Sequence, residues 1–187
     1  MTSAVTVSTH LYWITSRAAG TAALILSSLA VAAGLVIGGR LVRGRGPDLR
    51  VLHEALGLAT LGAILVHAAS LLGDGYLRPT VLDLTVPLVS GYKTAWMSMG
   101  IVSGWSLVLL GLSYYARESI GQERWRVVHR FTALAWILGI VHSAGEGTDA
   151  GQAWFLVCGA IVVLPALVLL VARMTPGLGA TGTAGPR

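Results

Sequence analysis

Five histidines occur in this chain of 187 residues. Four of them fall inside or beside its apolar stretches as two matched pairs, His53 with His67 and His129 with His142. A neutral imidazole ligates metal through either ring nitrogen. The members of the first pair are 14 positions apart and those of the second 13, which along a helix is about 21 Å and about 19.5 Å. Two such helices side by side present one imidazole pair near each face of a hydrocarbon core about 30 Å thick. Two imidazoles fill two positions of a six-coordinate ion, and the four nitrogens of a porphyrin fill the rest. The pattern therefore points to two b-type haems, one between His53 and His129 and one between His67 and His142. A structural zinc ion would want four nearby ligands, and each level offers two.

The elements that hold these histidines are helices in a membrane. Apolar residues make up 55% of the chain and charged residues 11%, and the mean hydropathy is +0.74. That balance excludes an ordinary soluble domain. Five stretches are long enough to cross a bilayer, at about 18–39, 51–72, 95–115, 127–142 and 153–172. The fourth is short, which predicts ends close to the two interfaces. The first has little basic charge ahead of it and reads as a retained span rather than a cleaved signal. The expected fold is all-α, an integral membrane helical bundle of five transmembrane helices. Residues 1–174 form one domain and 175–187, a Gly, Thr and Pro string, a flexible cytoplasmic tail.

The net charge of +5 is explained by topology, so no nucleic-acid partner is expected. Arg40, Arg43, Arg45 and Arg50 crowd the first connection; Arg117, Arg124, Arg126 and Arg130 crowd the third; Arg173 follows the last span. The other side has Arg17, Arg78 and Lys93. The positive-inside rule then sets the amino terminus outside and the carboxyl terminus in the cytoplasm of a cell inner (plasma) membrane. The second and fourth spans become parallel, with His53 and His129 on the inner side and His67 and His142 on the outer.

Between the second and third spans, the run from Pro79 to Pro87 suggests a short interfacial helix that Pro87 ends. Gly57, Ala59, Gly62, Ala63, Ala68, Ala133, Ala135 and Gly139 lie near the histidines and leave room for a flat macrocycle or for close helix packing. Helical phase raises a difficulty: 14 positions return His67 to within about 40° of His53, whereas 13 leave His142 about 140° from His129. The two haems must meet the fourth helix on different sides, or that helix is tilted or distorted, with His142 near Gly145 and Gly147 as the expected place. Cys158 has no partner for a disulfide and reads as a small buried residue.

The 14- and 13-spaced pairs, the entry Arg126-Val127-Val128-His129-Arg130 and the stretch from His142 to Gly147-Thr148-Asp149 resemble the ferric reductase-like transmembrane domain superfamily. Its members include NADPH oxidases, ferric reductases and the haem-binding membrane subunit of bacterial methionine-sulfoxide reductase. The resemblance implies a bundle with two haems on the four histidines. It also implies that Arg17, in Ser16-Arg17-Ala18-Ala19, is the arginine that lies near the outer haem. Flavin and nicotinamide domains of the oxidases have no counterpart here, which implies a separate cytoplasmic flavin reductase, or a quinol, as electron donor.

Haem propionates want basic partners, and Arg50, Arg126 and Arg130 are the candidates at the inner level, with Tyr92 and Lys93 at the outer. Glu54 must face the interface or bond to an arginine. The leading expectation is a di-haem electron conduit through the lipid bilayer, the membrane component of an oxidoreductase system, with an extracytoplasmic protein or small acceptor. Alternatives are a haem carrier or sensor without electron flow, and a scaffold or transporter whose histidines relay protons.

Overall fold

The structure, a computed structural model, describes residues 2–41 and 46–175. Arg43, Arg45 and the tail beyond Thr175 lie outside the described residues. Among the described residues eight α-helices follow one another: α1 Thr2–Gly39, α2 Gly46–Leu71, α3 Val81–Thr85, α4 Thr94–Leu112, α5 Arg117–Ile120, α6 Gln122–His129, α7 Thr132–Glu146 and α8 Ala153–Met174. No strand occurs among the described residues. Five stretches of the described residues are long and apolar enough to cross a membrane: His10–Gly39, Gly46–Leu71, Thr94–Ile120, Gln122–Glu146 and Ala153–Met174.

α1 begins well ahead of the span expected from about residue 18, because no glycine or proline precedes Gly20 to stop a helix. α2 starts with Pro47 and Asp48 in its first turn, where a missing N–H does no harm and negative charge meets the positive helix end. α4 tightens into a 3-10 turn over Ser113–Ala116. Gly121, at φ +90°, separates α5 from α6 in a conformation that a side chain would strain. The interfacial segment is a single turn, α3, closed by a reciprocal cap in which Asp83 N–H donates to the Thr80 hydroxyl and Thr80 N–H to the Asp83 carboxylate. It ends at Thr85, with Val86 as its extended cap just before Pro87. The Trp105 indole N–H fastens it to α4 through the Thr85 carbonyl, at 2.9 Å.

Packing is unequal between neighbours. α2 lies along α1, α7 lies along α4, and α8 lies along α1. α2 and α7 share no extended contact among the described residues, so a slot separates these two of the three histidine-bearing helices. The buried core sits to one side of it, where Leu24, Trp136, Val163 and Ala166 meet. Trp136 reaches α1 there, its indole N–H donating to Ser28 Oγ at 3.0 Å. The α4–α7 seam is made by small residues: Ser103 Oγ donates to the Ala135 carbonyl at 2.7 Å, and a Cβ on Gly139 would stand 3.0 Å from Ser103 Oγ. Ala135 and Gly139 thus serve helix packing, while a Cβ on Gly57 or Gly62 would meet nothing within 4 Å. Pro165 stands inside α8, as membrane helices tolerate. Leu65, Leu109, Ile161 and Val168 are exposed, an outward apolar face suited to lipid. Cys158 belongs to that exposed face and is not the buried residue expected.

Candidate functional site: two facing histidine pairs

α2 supplies His53 and His67, α6 supplies His129 and α7 supplies His142. Across the slot the ring centroids of His53 and His129 are 6.1 Å apart with planes at 86°, and those of His67 and His142 are 6.4 Å apart at 75°. First faces first and second faces second, so α2 runs in the same sense as α6 and α7. The expected parallel pairing is what the fold contains.

Each ring is held from behind. His53 Nδ1 lies 2.8 Å from the Ala30 carbonyl oxygen, His67 Nδ1 2.8 Å from that of Ser16, His142 Nδ1 2.9 Å from that of Trp96 and His129 Nδ1 3.3 Å from that of Leu110. A carbonyl only accepts, so Nδ1 carries the hydrogen in all four and Nε2 is left with its lone pair. No described hydrogen bond uses Nε2. The carbonyls come from α1 for the α2 histidines and from α4 for the other two. Each of these helices therefore backs one side of the slot.

Three of the four contacts share a local device. A glycine stands one turn after the accepting residue: Gly20 after Ser16, Gly34 after Ala30 and Gly100 after Trp96. A Cβ there would stand 2.9 Å from His67 Nδ1, 3.1 Å from His53 Cε1 and 2.6 Å from the His142 ring respectively. These glycines are notches that let an imidazole lie against a helix backbone. Sequence reasoning missed them by looking for small residues on the histidine helices. The available signal was on α1, where Gly20 and Gly34 repeat the 14-residue spacing of His53 and His67.

On the fourth span the helix is interrupted, which bears on the phase difficulty. Arg130 and Phe131 separate α6 from α7, with Arg130 N–H and Phe131 N–H bonded three residues back to Val127 and Val128. That tightened turn resets the helix one residue after His129, rather than near His142 as expected. On α4 the accepting residues Trp96 and Leu110 are 14 positions apart while their histidines are 13 apart. The break absorbs the difference.

The candidate arginines lie at both ends of the bundle. Arg50, Arg126 and Arg130 are exposed at the arginine-rich end and form no ion pair among the described residues. Arg17 is paired with buried Asp149, its Nε donating to Oδ2 at 3.0 Å and a terminal nitrogen to Oδ1, and it lies over the Trp13 ring. Glu54 accepts from the Tyr115 hydroxyl at 2.9 Å, so its partner is a tyrosine and not an arginine. Lys93 donates to the Gly145 carbonyl at 2.8 Å, with the Glu146 carboxylate 3.8 Å away.

Two imidazoles that grip one metal ion from opposite sides, each through a nitrogen about 2.0–2.1 Å from it, have ring centres about 6.3 Å apart. The observed 6.1 and 6.4 Å fit such a clasp. Among the described residues, no group of three or more His, Cys, Asp or Glu side chains converges as a bare ion would need. The arrangement is suited to a group that brings its own equatorial ligands and enters a slot between helices.

Residues 18–140 match the family model described as ferric reductase like transmembrane component. The match includes His53, His67 and His129 and ends two positions before His142. No curated protein and no solved structure matches the chain.

Proposed function

The chain belongs to the ferric reductase-like transmembrane family, and on that footing we propose that it is a di-haem electron conduit, the membrane component of an oxidoreductase system. His53 and His129 hold one haem b, and His67 and His142 hold a second. Bound haem supplies a one-electron couple at each level. The observation that carries this reading is the pair of imidazole clasps, each with Nδ1 tied to a backbone carbonyl and Nε2 turned free.

The residues contribute in three ways. The Ser16, Ala30, Trp96 and Leu110 carbonyls fix the tautomer and plane of each ligand and raise its basicity. Open space at Gly57, on the same face of α2 as His53, accommodates a macrocycle edge. The spacing of the histidines along α2 fixes the separation of the two levels at about 21 Å in axial rise. Haem held by a histidine from each side would be suited to passing electrons rather than to binding oxygen. Arg50, Arg126 and Arg130 at one end are the basic groups available to haem propionates, while Arg17 at the other is already engaged by Asp149.

Orientation follows from arginine placement, with the arginine-rich end in the cytoplasm and the amino terminus outside a plasma membrane. In that orientation haem held by His53 and His129 would face a cytoplasmic flavoprotein or quinol donor, and haem held by His67 and His142 would face an extracytoplasmic acceptor.

The test is a reduced-minus-oxidised absorption spectrum with haem quantified per chain, followed by transfer in vesicles. Two haems per chain are expected. A reductant enclosed in vesicles should reduce an impermeant acceptor outside, and this should vanish in His67→Ala and His142→Ala. Absence of haem would end the reading, and bound haem without transfer would make the chain a carrier or sensor.

A further inference from the structure

The four histidine anchors are not equivalent, and the exception has its own machinery. Three Nδ1-to-carbonyl distances are 2.8, 2.8 and 2.9 Å, while that of His129 to Leu110 is 3.3 Å. One turn after Leu110 stands Tyr114 instead of a glycine, so the notch that admits the other rings is missing. The Leu110 carbonyl is also shared: Ser113 Oγ donates to it at 2.6 Å. Ser113 Oγ in turn accepts from the Trp125 indole N–H at 3.1 Å. The Trp125 ring stacks on His129, centroids 4.9 Å apart and planes at 27°, and Tyr114 packs against the other aromatic edge at 5.8 Å.

We propose that Ser113 and Trp125 are positioning residues that raise the electron affinity of the haem at the His53/His129 level. The inference rests on the reading that the four histidines are axial ligands. A hydrogen bond from Nδ1–H to an acceptor pushes electron density toward Nε2 and favours oxidised iron. Ser113 takes the larger share of the Leu110 carbonyl, by the shorter and better bond. His129 is left a less basic ligand than the other three, which favours the reduced state. Trp125 supplies by stacking the ring orientation that the weakened bond no longer fixes, and its N–H keeps the Ser113 hydroxyl aimed at Leu110. The consequence is specific to one level, because both rings of the other pair make full-strength bonds.

Spectroelectrochemical titration of the purified full chain tests this. In Ser113→Ala the carbonyl passes wholly to His129. One midpoint should fall, by up to a tenfold change in the reduction equilibrium, about 59 mV for one electron, with the other midpoint unmoved. Ser113→Thr, which keeps the hydroxyl, should restore the wild-type value. Trp125→Ala should broaden the low-spin ferric signal of the same haem, and Trp125→Phe should keep it narrow. The unmoved second haem reports that each variant has folded. If Ser113→Ala leaves both midpoints in place or moves both together, the Ser113 role is wrong; an unbroadened signal in Trp125→Ala removes the Trp125 role. A wild-type chain without two haems would overturn the axial-ligand reading itself, whereas two haems indifferent to Ser113 overturn this inference alone.

Discussion

Arg17 and Asp149 form a forked ion pair that ties α1 to the turn between α7 and α8, with the guanidinium lying 4.2 Å from the centroid of the Trp13 ring. The pair spans the two ends of the sequence and lies at the same end of the bundle as His67, whose anchor is the neighbouring residue Ser16.

Breaking this pair should loosen that tie between α1 and the α7–α8 turn. Asp149 is 8% exposed, and Asp149→Asn leaves Arg17 without its charge partner. Because Arg17 is about a third exposed and solvent screens it, the expected loss is about 1–2 kcal/mol, below the value for a fully buried pair. Thermal unfolding in detergent, followed by helical circular dichroism, would measure it. An unchanged transition would mean that the pair is incidental to folding.

Gly100→Ala sets a Cβ 2.6 Å from the His142 ring, closer than real contacts allow, and the ring is rigid. One haem of two should be lost or converted to high spin, with the His53/His129 level retained. Gly20→Ala acts on His67, where the Cβ would stand 2.9 Å from Nδ1, and should give a weaker form of the same defect. Haem stoichiometry and the Soret spectrum decide between these outcomes and no change.

A larger side chain at Gly57 tests whether the slot is where a cofactor goes. Apart from the adjoining backbone of α2, no atom of the described residues lies within 4 Å of an added Cβ at Gly57 or at Gly62. Gly57 is about 40° from His53 around α2 and Gly62 about 180° away. Gly57→Leu should lower haem content at unchanged helicity, while Gly62→Leu should not. Equal haem content in both would separate the slot from the cofactor.

The cap of α3 gives a pH dependence. Hydrogen bonds from the Thr80 side chain and then its backbone N–H hold the Asp83 carboxyl below its ordinary value of 3.8. Since the folded value is depressed, the cap's stabilisation is present above the ordinary carboxylate range and is lost as pH falls through the folded value. Amide exchange over Val81–Thr85, corrected for intrinsic rates, should accelerate at that acid end and do so at neutral pH in Asp83→Asn. Exchange indifferent to both would remove the cap from the account of α3.

Removing the hydroxyl beneath Trp136 should cost about 0.6 kcal/mol, and at most about 1.7, in Ser28→Ala, because hydrogen bonds between membrane helices are modest contributors. Unfolding in mixed micelles would register the change. A loss far above that range would point to a packing role for the hydroxyl itself.

The sequence alone determined that this chain is a membrane-spanning helical bundle, since runs of about 20 apolar residues have no other stable use. Histidine spacing together with arginine asymmetry was also enough to pair His53 with His129 and His67 with His142, because an odd number of intervening spans makes their helices parallel. What the tertiary structure decided was how each imidazole is aimed. The accepting carbonyls and the glycine notches lie on α1 and α4, far from the histidines in sequence, and a backbone carbonyl carries no residue identity to read. Neither could periodicity locate the break at Arg130–Phe131, for phase shows only that the two histidines do not share a face of an undistorted helix. Asp149 as the partner of Arg17, Tyr115 as the partner of Glu54, and the Ser113 hydroxyl that shares the Leu110 carbonyl emerge only when helices pack. Contacts of that kind depend on side chains meeting across elements, and spacing along one element does not encode them.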